Sequence, residues 1–82
     1  MARNRPNQEE VMDYQQVNST SIAQVGYDPL TATLEIHFRS GRHYRYFLVS
    51  PRCYRDLLLA DSKGRFFLHR IRPAGFPYER LQ

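Results

Sequence analysis

Residues 62–72 combine positive charge with apolar side chains. The segment reads SKGRFFLHRIR and holds four Lys or Arg residues and one His, together with Phe66, Phe67 and Ile71. Two adjacent Phe side chains are unusual in a solvated loop, and so many basic residues are unusual in a helix that is buried in the core. We therefore expect the segment to attach to a hydrophobic core and to present a basic face to a partner.

The start of this segment has residue types that could contact a phosphate. Ser62 can cap a helix, Gly64 allows a close approach, and Lys63 and Arg65 add positive charge. The alternative is an ordinary capped helix start with two solvated bases. A phosphate loop needs a longer Gly-rich sequence after a strand, so the sequence favours the alternative without excluding the contact.

Charge is distributed unevenly along the 82-residue chain. The net charge is +4, but residues 1–38 carry −3 and residues 39–82 carry +7. Eleven of the twelve bases are Arg, whose planar guanidinium suits phosphate groups and can stack on nucleobases. This distribution indicates either a basic surface that serves solubility or an anionic partner, with even odds between the two.

Arg52 and Arg55 are spaced one turn apart on the expected wet face of a helix. With the bases of the 62–72 segment they could form a stripe along a nucleic-acid backbone, although a solvated helix face is as good an interpretation. The candidate nucleic-acid-binding residues are Arg52, Arg55, Lys63, Arg65, Arg70 and Arg72. The expected partner is RNA, with tRNA as one candidate. The alternative is a protein partner that docks on Phe47 and neighbouring apolar residues.

Aromatic side chains of the third predicted strand could stack on bases. Tyr44 and Tyr46 share the face of Leu34 and Ile36, which favours a place in the core. Phe47 lies on the opposite face and is the better stacking candidate.

No constellation of residues predicts catalysis or a metal site. His37 and His43 are predicted cross-strand neighbours, but only Glu35 could join them as a third ligand, so two surface histidines are favoured. Cys53 cannot form an internal disulfide, and a buried filler is favoured over a reactive thiol. Ser and Asp occur in no nucleophile-elbow or triad context. We expect a non-catalytic protein without a cofactor.

Periodicity predicts three antiparallel strands, at residues 21–27, 33–38 and 43–48. A Pro-containing turn, residues 28–31, joins the first two, and Gly26 suggests a bulge or a close backbone approach. Between the second and third strands, a two-residue loop would set Ile36 against Arg45. A three-residue loop at residues 39–41, with Gly41 in the left-handed position, gives a better match. It pairs Ile36 with Tyr44, Leu34 with Tyr46 and Glu35 with Arg45.

Ser50 and Pro51 are a typical N-cap and first residue of a helix. Its expected buried stripe is Tyr54, Leu57 and Leu58, with Cys53 and Ala60 as further members. Asp61 and Ser62 should end this helix and begin a second, short one that reaches about residue 72. A strand is the alternative there, because residues 67, 69 and 71 also alternate. The fold class is therefore α+β: a three-stranded antiparallel meander followed by one or two short helices packed on one face.

Residues 1–18 are polar and predict a flexible tail, with one helical turn near residues 9–14. Residues 19–82 should form a single domain. No secretory signal and no apolar run of membrane-spanning length is visible, and a lone Cys suits a reducing compartment, so a cytoplasmic location is expected.

The order and spacing of these residues resemble the KTSC domain, a family named for its occurrence at the C-terminus of some lysyl-tRNA synthetases. It also occurs as small stand-alone bacterial and phage proteins. The resemblance covers residues 19–81 and rests on residues 21–22, 25–28, 34–38, 41, 44–46, 49, 54, 57, 60, 62–67, 71–72 and 78. Two positions depart from the family pattern: Ser50, where Pro is frequent, and Leu68, where Asn is common. The resemblance implies RNA binding, inferred from the company the domain keeps, and brings no catalytic residues.

Overall fold

The computed structural model describes residues 12–82. These residues form five strands and two helical segments, in the order β1 Asp13–Gln16, β2 Ile22–Asp28, β3 Thr33–Phe38, β4 His43–Tyr46, α1 Pro51–Leu59, α2 Lys63–Phe66 and β5 Tyr78–Arg80. The helix of α2 continues without a break as a π-helical turn, Phe67–Ile71, and a 3₁₀ turn, Arg72–Ala74. No helix among residues 12–82 is long and apolar enough to cross a bilayer.

The five strands form one antiparallel sheet in the order β1-β2-β3-β4-β5. The α+β class is confirmed, whereas the prediction of three strands is wrong. Both additional strands are short, and every residue in them is exposed, so neither carries the apolar alternation that identifies a strand from sequence. They lie at the two edges of the sheet, where backbone pairing to one neighbour holds them.

β1 lies within the segment predicted as a flexible tail. Asp13–Gln16 pairs along its whole length with β2, so both the tail and the helical turn are wrong for these residues. Val17, in the same segment, packs against the core, and its amide donates to the Ala23 carbonyl. Residues 1–11 of the predicted tail lie outside the described part of the chain.

The predicted register between β3 and β4 is confirmed. Ile36 pairs with Tyr44, Leu34 with Tyr46 and Glu35 with Arg45. The Phe38 amide donates to the Arg42 carbonyl, 2.8 Å away, which closes the three-residue loop, and Gly41 has a φ of 101°. The apolar pattern and the turn residue therefore agree on one register.

The two helical segments cover one face of the sheet. The Ser50 hydroxyl accepts a hydrogen bond from the Cys53 amide, and the Ser62 hydroxyl accepts one from the Arg65 amide, so both predicted N-caps are confirmed. Residues 63–74 are helical throughout, and the strand alternative for this segment is therefore wrong. The core between sheet and helices consists of Ile22, Val25, Tyr27, Leu34, Ile36, Tyr46, Val49, Leu57, Phe67 and Ile71.

Gly26 marks a close approach and not a bulge. The register shift in β2 lies between Ile22 and Gln24, whereas Gly26 pairs regularly with Tyr14 on one side and Glu35 on the other. A Cβ atom on Gly26 would lie 2.6 Å from Cδ1 of Tyr14. The absent side chain lets the Tyr14 ring lie directly on the backbone of β2.

Gly26→Ala should destabilise the domain by about 1–3 kcal/mol, because the new methyl group displaces the Tyr14 ring. Urea unfolding measures the change. In a Tyr14→Ala background the same substitution should cost little, since the atoms it would meet at 2.6–2.7 Å are gone. An equal cost in both backgrounds would show that the Tyr14 contact is not the reason for glycine at this position.

Candidate nucleic-acid interface

Two of the predicted basic residues meet in a groove between α1 and the second helical segment. The groove has a volume of about 220 Å³ and is lined by Ser50, Arg52, Cys53, Asp56, Phe66 and Arg70. The guanidinium carbon of Arg70 lies 5.2 Å from the centre of the Phe66 ring, a cation–π contact that fixes the side chain beside the groove. Asp56 also lines the groove, and its negative charge opposes that of the two arginines.

The first turn of α2 is occupied with local contacts. The Lys63 ammonium donates a 2.7 Å hydrogen bond to the carbonyl of Ala60, the residue that ends α1. A Cβ atom on Gly64 would lie 2.6 Å from the Ser21 hydroxyl, so the glycine lets the helix approach the start of the sheet. Arg65 is exposed in this turn, and Arg55 is exposed on α1 without lining the groove. The geometry favours the capped helix start over a phosphate contact at residues 62–65.

Arg72 lies at a different opening, which we call the aromatic cavity. It has a volume of about 400 Å³ and is bounded by the π-helical turn, the hairpin end of β3 and β4, and β5. Its lining residues are Phe38, Ser40, Arg42, Tyr44, Tyr46, Phe67, Ile71, Arg72, Gly75, Phe76 and Tyr78. Within the described part of the chain, no acidic side chain lines it.

The aromatic rings of this cavity contact one another. The Tyr78 ring lies 6.0 Å from that of Tyr44 and 5.7 Å from that of Tyr46, centre to centre. Phe67 packs edge-on against Phe38 and Tyr46 at 5.2 Å and 5.9 Å. Burial, with the nearby Tyr44 and Tyr78, raises the pKa of Tyr46 to about 12, although Arg72 acts in the opposite direction. Tyr46 is therefore a neutral phenol near neutral pH.

The opposite face of the sheet, which we call the polar face, holds a row of paired residues across all five strands. Tyr14, Gly26, Glu35, Arg45 and Glu79 are successive cross-strand partners. The Tyr14 hydroxyl donates to Oε1 of Glu35 at 2.8 Å, and the Arg45 guanidinium binds Oε2 through Nε and Nη2, at 3.0 and 2.6 Å. Arg45 also contacts Glu79 at 3.4 Å. Arg45 therefore serves the sheet and is not available to a ligand.

Glu35 is 2% exposed, which makes it the most deeply buried ionisable residue in the described chain. Burial alone would raise its pKa, but hydrogen bonds from Arg45, Tyr14 and His37 outweigh it, and the pKa lies below its usual value. The carboxylate is therefore ionised near neutral pH, and its charge is matched by the guanidinium of Arg45.

His37 and His43 are cross-strand neighbours, as predicted. Their rings stack with centres 3.8 Å apart, and Nε2 of His37 lies 3.1 Å from Oε1 of Glu35. Within residues 12–82, no group of three or more His, Cys, Asp or Glu side chains could hold a metal ion. His37 extends the hydrogen-bonded row of the polar face, and His43 stacks on it.

Cys53 is a half-buried free thiol in α1 that packs against the core. Burial raises its pKa, although the nearby Arg70 acts to lower it. The thiol is thus shifted away from the reactive thiolate form, as its interpretation as an apolar filler predicts.

Sequence reasoning missed Arg42 and the closing side of the aromatic cavity. Tyr44 and Tyr46 were expected to lie with the core, and Tyr46 does, at 7% exposure. Tyr78 completes the cavity because β5 pairs it with Tyr46. Phe47, the preferred stacking candidate, is half-buried just beyond β4, and its amide donates to the Pro77 carbonyl. The alternation of Tyr44 and Tyr46 was the available signal for the aromatic lining, and Arg42 gave none.

The fold and these two openings define a small α+β domain with a basic helical side and an aromatic cavity. The model of the KTSC domain family matches residues 18–76, and the chain belongs to this family. The crystal structure of a KTSC domain protein from Yersinia pestis is similar, with a TM-score of 0.81 and 38% identity, over 87% of this chain and 99% of that one.

Relatives of two kinds are similar in sequence. An uncharacterized protein of Stutzerimonas stutzeri is 42% identical over 65 residues, which span 79% of this chain and 92% of the relative. The lysine–tRNA ligase of Nostoc sp. is 42% identical over 55 residues, which span 67% of this chain but only 10% of the ligase. Small proteins of similar length and a part of a larger enzyme thus share this domain.

Lowering the pH should remove the stability contributed by Glu35. Its folded pKa is depressed, so below the unfolded value of about 4.5 the unfolded chain takes up a proton that the folded chain resists. The contribution is complete above that pH and disappears as the pH falls through the folded pKa. Glu35→Gln should cost about 1–3 kcal/mol near pH 7 and should flatten the decline in urea-unfolding free energy between pH 5 and pH 3.

Glu79→Gln is the matched control, because it removes the other carboxylate that contacts Arg45. The Glu79 side chain is 52% exposed. The substitution should leave the pH profile close to that of the wild type. If Glu35→Gln retains the full acid-dependent loss, the depressed pKa of Glu35 does not contribute to stability.

Proposed function

We propose that this domain is a small non-catalytic binding module whose Arg-rich surface binds nucleic acid, and RNA in particular. The proposal rests on the arginines that form no ion pair with an acidic group. Among residues 12–82, the ion pairs of arginine with acidic groups all involve Arg45. The other arginines of the basic half have no acidic partner within this range, so a phosphate backbone can supply one.

The groove between the helices supports the same function. Arg52 and Arg70 reach it from different helices, and both are exposed. Arg70 is held by the Phe66 ring, so less side-chain freedom is lost when it binds a phosphate. The proposed contacts are the exposed side chains of Arg52, Arg55, Arg65, Arg70 and Arg72, with Arg52 and Arg70 as the central pair. Lys63 adds positive charge to this surface without a direct contact, because its ammonium binds the Ala60 carbonyl.

The relatives add a second line of support. Lysine–tRNA ligases, by their name, act on tRNA, and three of them carry a segment 38–43% identical to this chain. A domain within an enzyme that handles RNA is well placed to hold RNA. This chain spans about a tenth of those ligases, so the proposal concerns binding and not the ligase reaction. We also infer a cytoplasmic location, which the free thiol of Cys53 supports.

A specific observation favours the second candidate function, the docking of a partner protein. Leu48 is 72% exposed and has a φ of 64°, a left-handed conformation that is strained for a bulky residue. The adjacent Val49 amide donates to the carbonyl of Ala32, which also has a positive φ, and Leu30 nearby is 84% exposed. Two exposed leucines on neighbouring loops beside Phe47 could form the apolar centre of an interface.

RNA binding should weaken as salt increases. For single-stranded RNA the logarithm of the binding constant should fall with the logarithm of salt concentration, by a slope of about 0.7 for each phosphate contacted. Arg70→Gln should weaken binding and reduce that slope by about 0.7, because it removes one contact. Asp56→Asn should strengthen binding, since it removes the acidic group of the groove. Gel-shift titrations at two or more salt concentrations measure these changes.

Arg39→Gln is the matched control for Arg70→Gln, since it makes the same change in charge at the hairpin, where the Arg39 side chain donates to the carbonyl of Ser19. It should leave most of the affinity intact. Binding that is absent at low salt, or that does not depend on salt, would contradict the proposed function. Capture of a protein partner that survives nuclease and high salt, and is lost in Leu48→Ser, would support the second candidate instead.

A further inference from the structure

The aromatic cavity has features that a solvated crevice does not require. Five aromatic side chains of its lining come from β3, β4, the π-helical turn and β5, namely Phe38, Tyr44, Tyr46, Phe67 and Tyr78. Its volume of about 400 Å³ lies within the range of roughly 300–1,000 Å³ typical of small-ligand sites. The Arg-rich groove between the helices explains none of these residues.

The two arginines of the cavity define the chemistry that would enter it. Arg42, on the hairpin, and Arg72, at the end of the π-helical turn, are both exposed, and no acidic side chain of residues 12–82 lines the cavity. A ligand that satisfies this lining needs a flat aromatic part for the tyrosines and an anionic part for the guanidinium groups. A nucleotide has both, since its base is a flat ring and its phosphate lies a short distance from that ring.

The aromatic side chains of the cavity differ in their exposure to a ligand. Tyr46 and Phe67 are buried and form the floor, whereas Tyr78 is 63% exposed. Tyr78 lies on β5, an edge strand of three residues, so its ring can shift without disturbing the core. The cavity therefore has a fixed floor and an adjustable aromatic wall on which a base can stack.

The backbone beside the cavity is also unusual. The Arg72 amide donates to the Phe67 carbonyl, five residues earlier, which makes this turn π-helical. Such turns are rare, and they occur frequently at functional sites. Here the turn brings Phe67, Ile71 and Arg72 together on the cavity.

We propose that the aromatic cavity binds a single unpaired nucleotide of RNA, with its base stacked on Tyr78 and Tyr44 and its phosphate held by Arg42 and Arg72. This inference rests on the proposed function and deepens it, because the helical surface would hold the backbone of the strand while the cavity selects an unstacked base. A duplex, whose bases are stacked and paired, cannot supply that base without opening.

The test compares two probes that carry the same phosphates: a single-stranded RNA decamer, and the same decamer with every base removed. Wild-type protein should bind the decamer more tightly than the abasic strand by about 5- to 150-fold, the range expected for one base stacked on an aromatic ring. Tyr78→Ala should lose this preference and bind both probes equally. Tyr78→Phe retains the ring and should retain the preference.

Arg42→Gln should weaken both probes and leave their ratio unchanged, because it removes a phosphate contact. Circular dichroism verifies that the variants are folded, and the exposure of Tyr78 and Arg42 makes this the expected result. If the decamer and the abasic strand bind wild-type protein equally, or if Tyr78→Ala keeps the preference, the cavity is not a base site while the proposed function stands. If neither probe binds at low salt, both proposals fail.

Discussion

The charge of one buried carboxylate constrains the whole sheet. Glu35 lies in the central strand, is nearly inaccessible and is ionised, so it must receive hydrogen bonds from its neighbours. Those donors come from both sides: Tyr14 from one edge strand, and Arg45 from β4. Arg45 in turn contacts Glu79 on the opposite edge strand. The two outer strands, in which every residue is exposed, are thereby linked to the centre of the sheet.

The two faces of the sheet have different roles. The polar face is occupied with its own charges, because Arg45 and His37 both bind Glu35. The other face carries the core and, at its β4–β5 end, leaves aromatic rings and arginines accessible around a cavity. A domain of this size has one small core, and here that core provides both the stability and the floor of the proposed binding site.

The parts of the fold that bury apolar surface were predictable, and the exposed edge strands, which backbone pairing holds, were not. Alternation in β3 and β4, together with Gly41, determined a register that the structure reproduces. Ser50 and Ser62 identified both helix starts, because capping is a local interaction. β1 and β5 were missed, since their residues are all exposed and give no apolar alternation, and backbone pairing to one neighbouring strand holds each of them.

The same distinction holds for the candidate site. The basic segment was visible from its composition, and its exposed arginines lie on the helical side. Which of them share an opening was not visible, because Arg52 and Arg70 belong to different helices and Arg72 faces a cavity that β5 completes. Arg42 gave no helical or motif signal, and only the folded hairpin brings it beside Arg72.

The π-helical turn limits the insertions and deletions that the helix at residues 63–74 can accept. A turn that contains one residue more than an α-helical turn rotates all later residues by about 100° relative to a regular helix. Ile71 is buried and Arg72 lies at the cavity only with that extra residue in place. A one-residue deletion here would yield an equally regular helix whose end points elsewhere. Within this helix, the number of residues matters as much as their identity, and an insertion or deletion could abolish the cavity while leaving every strand intact.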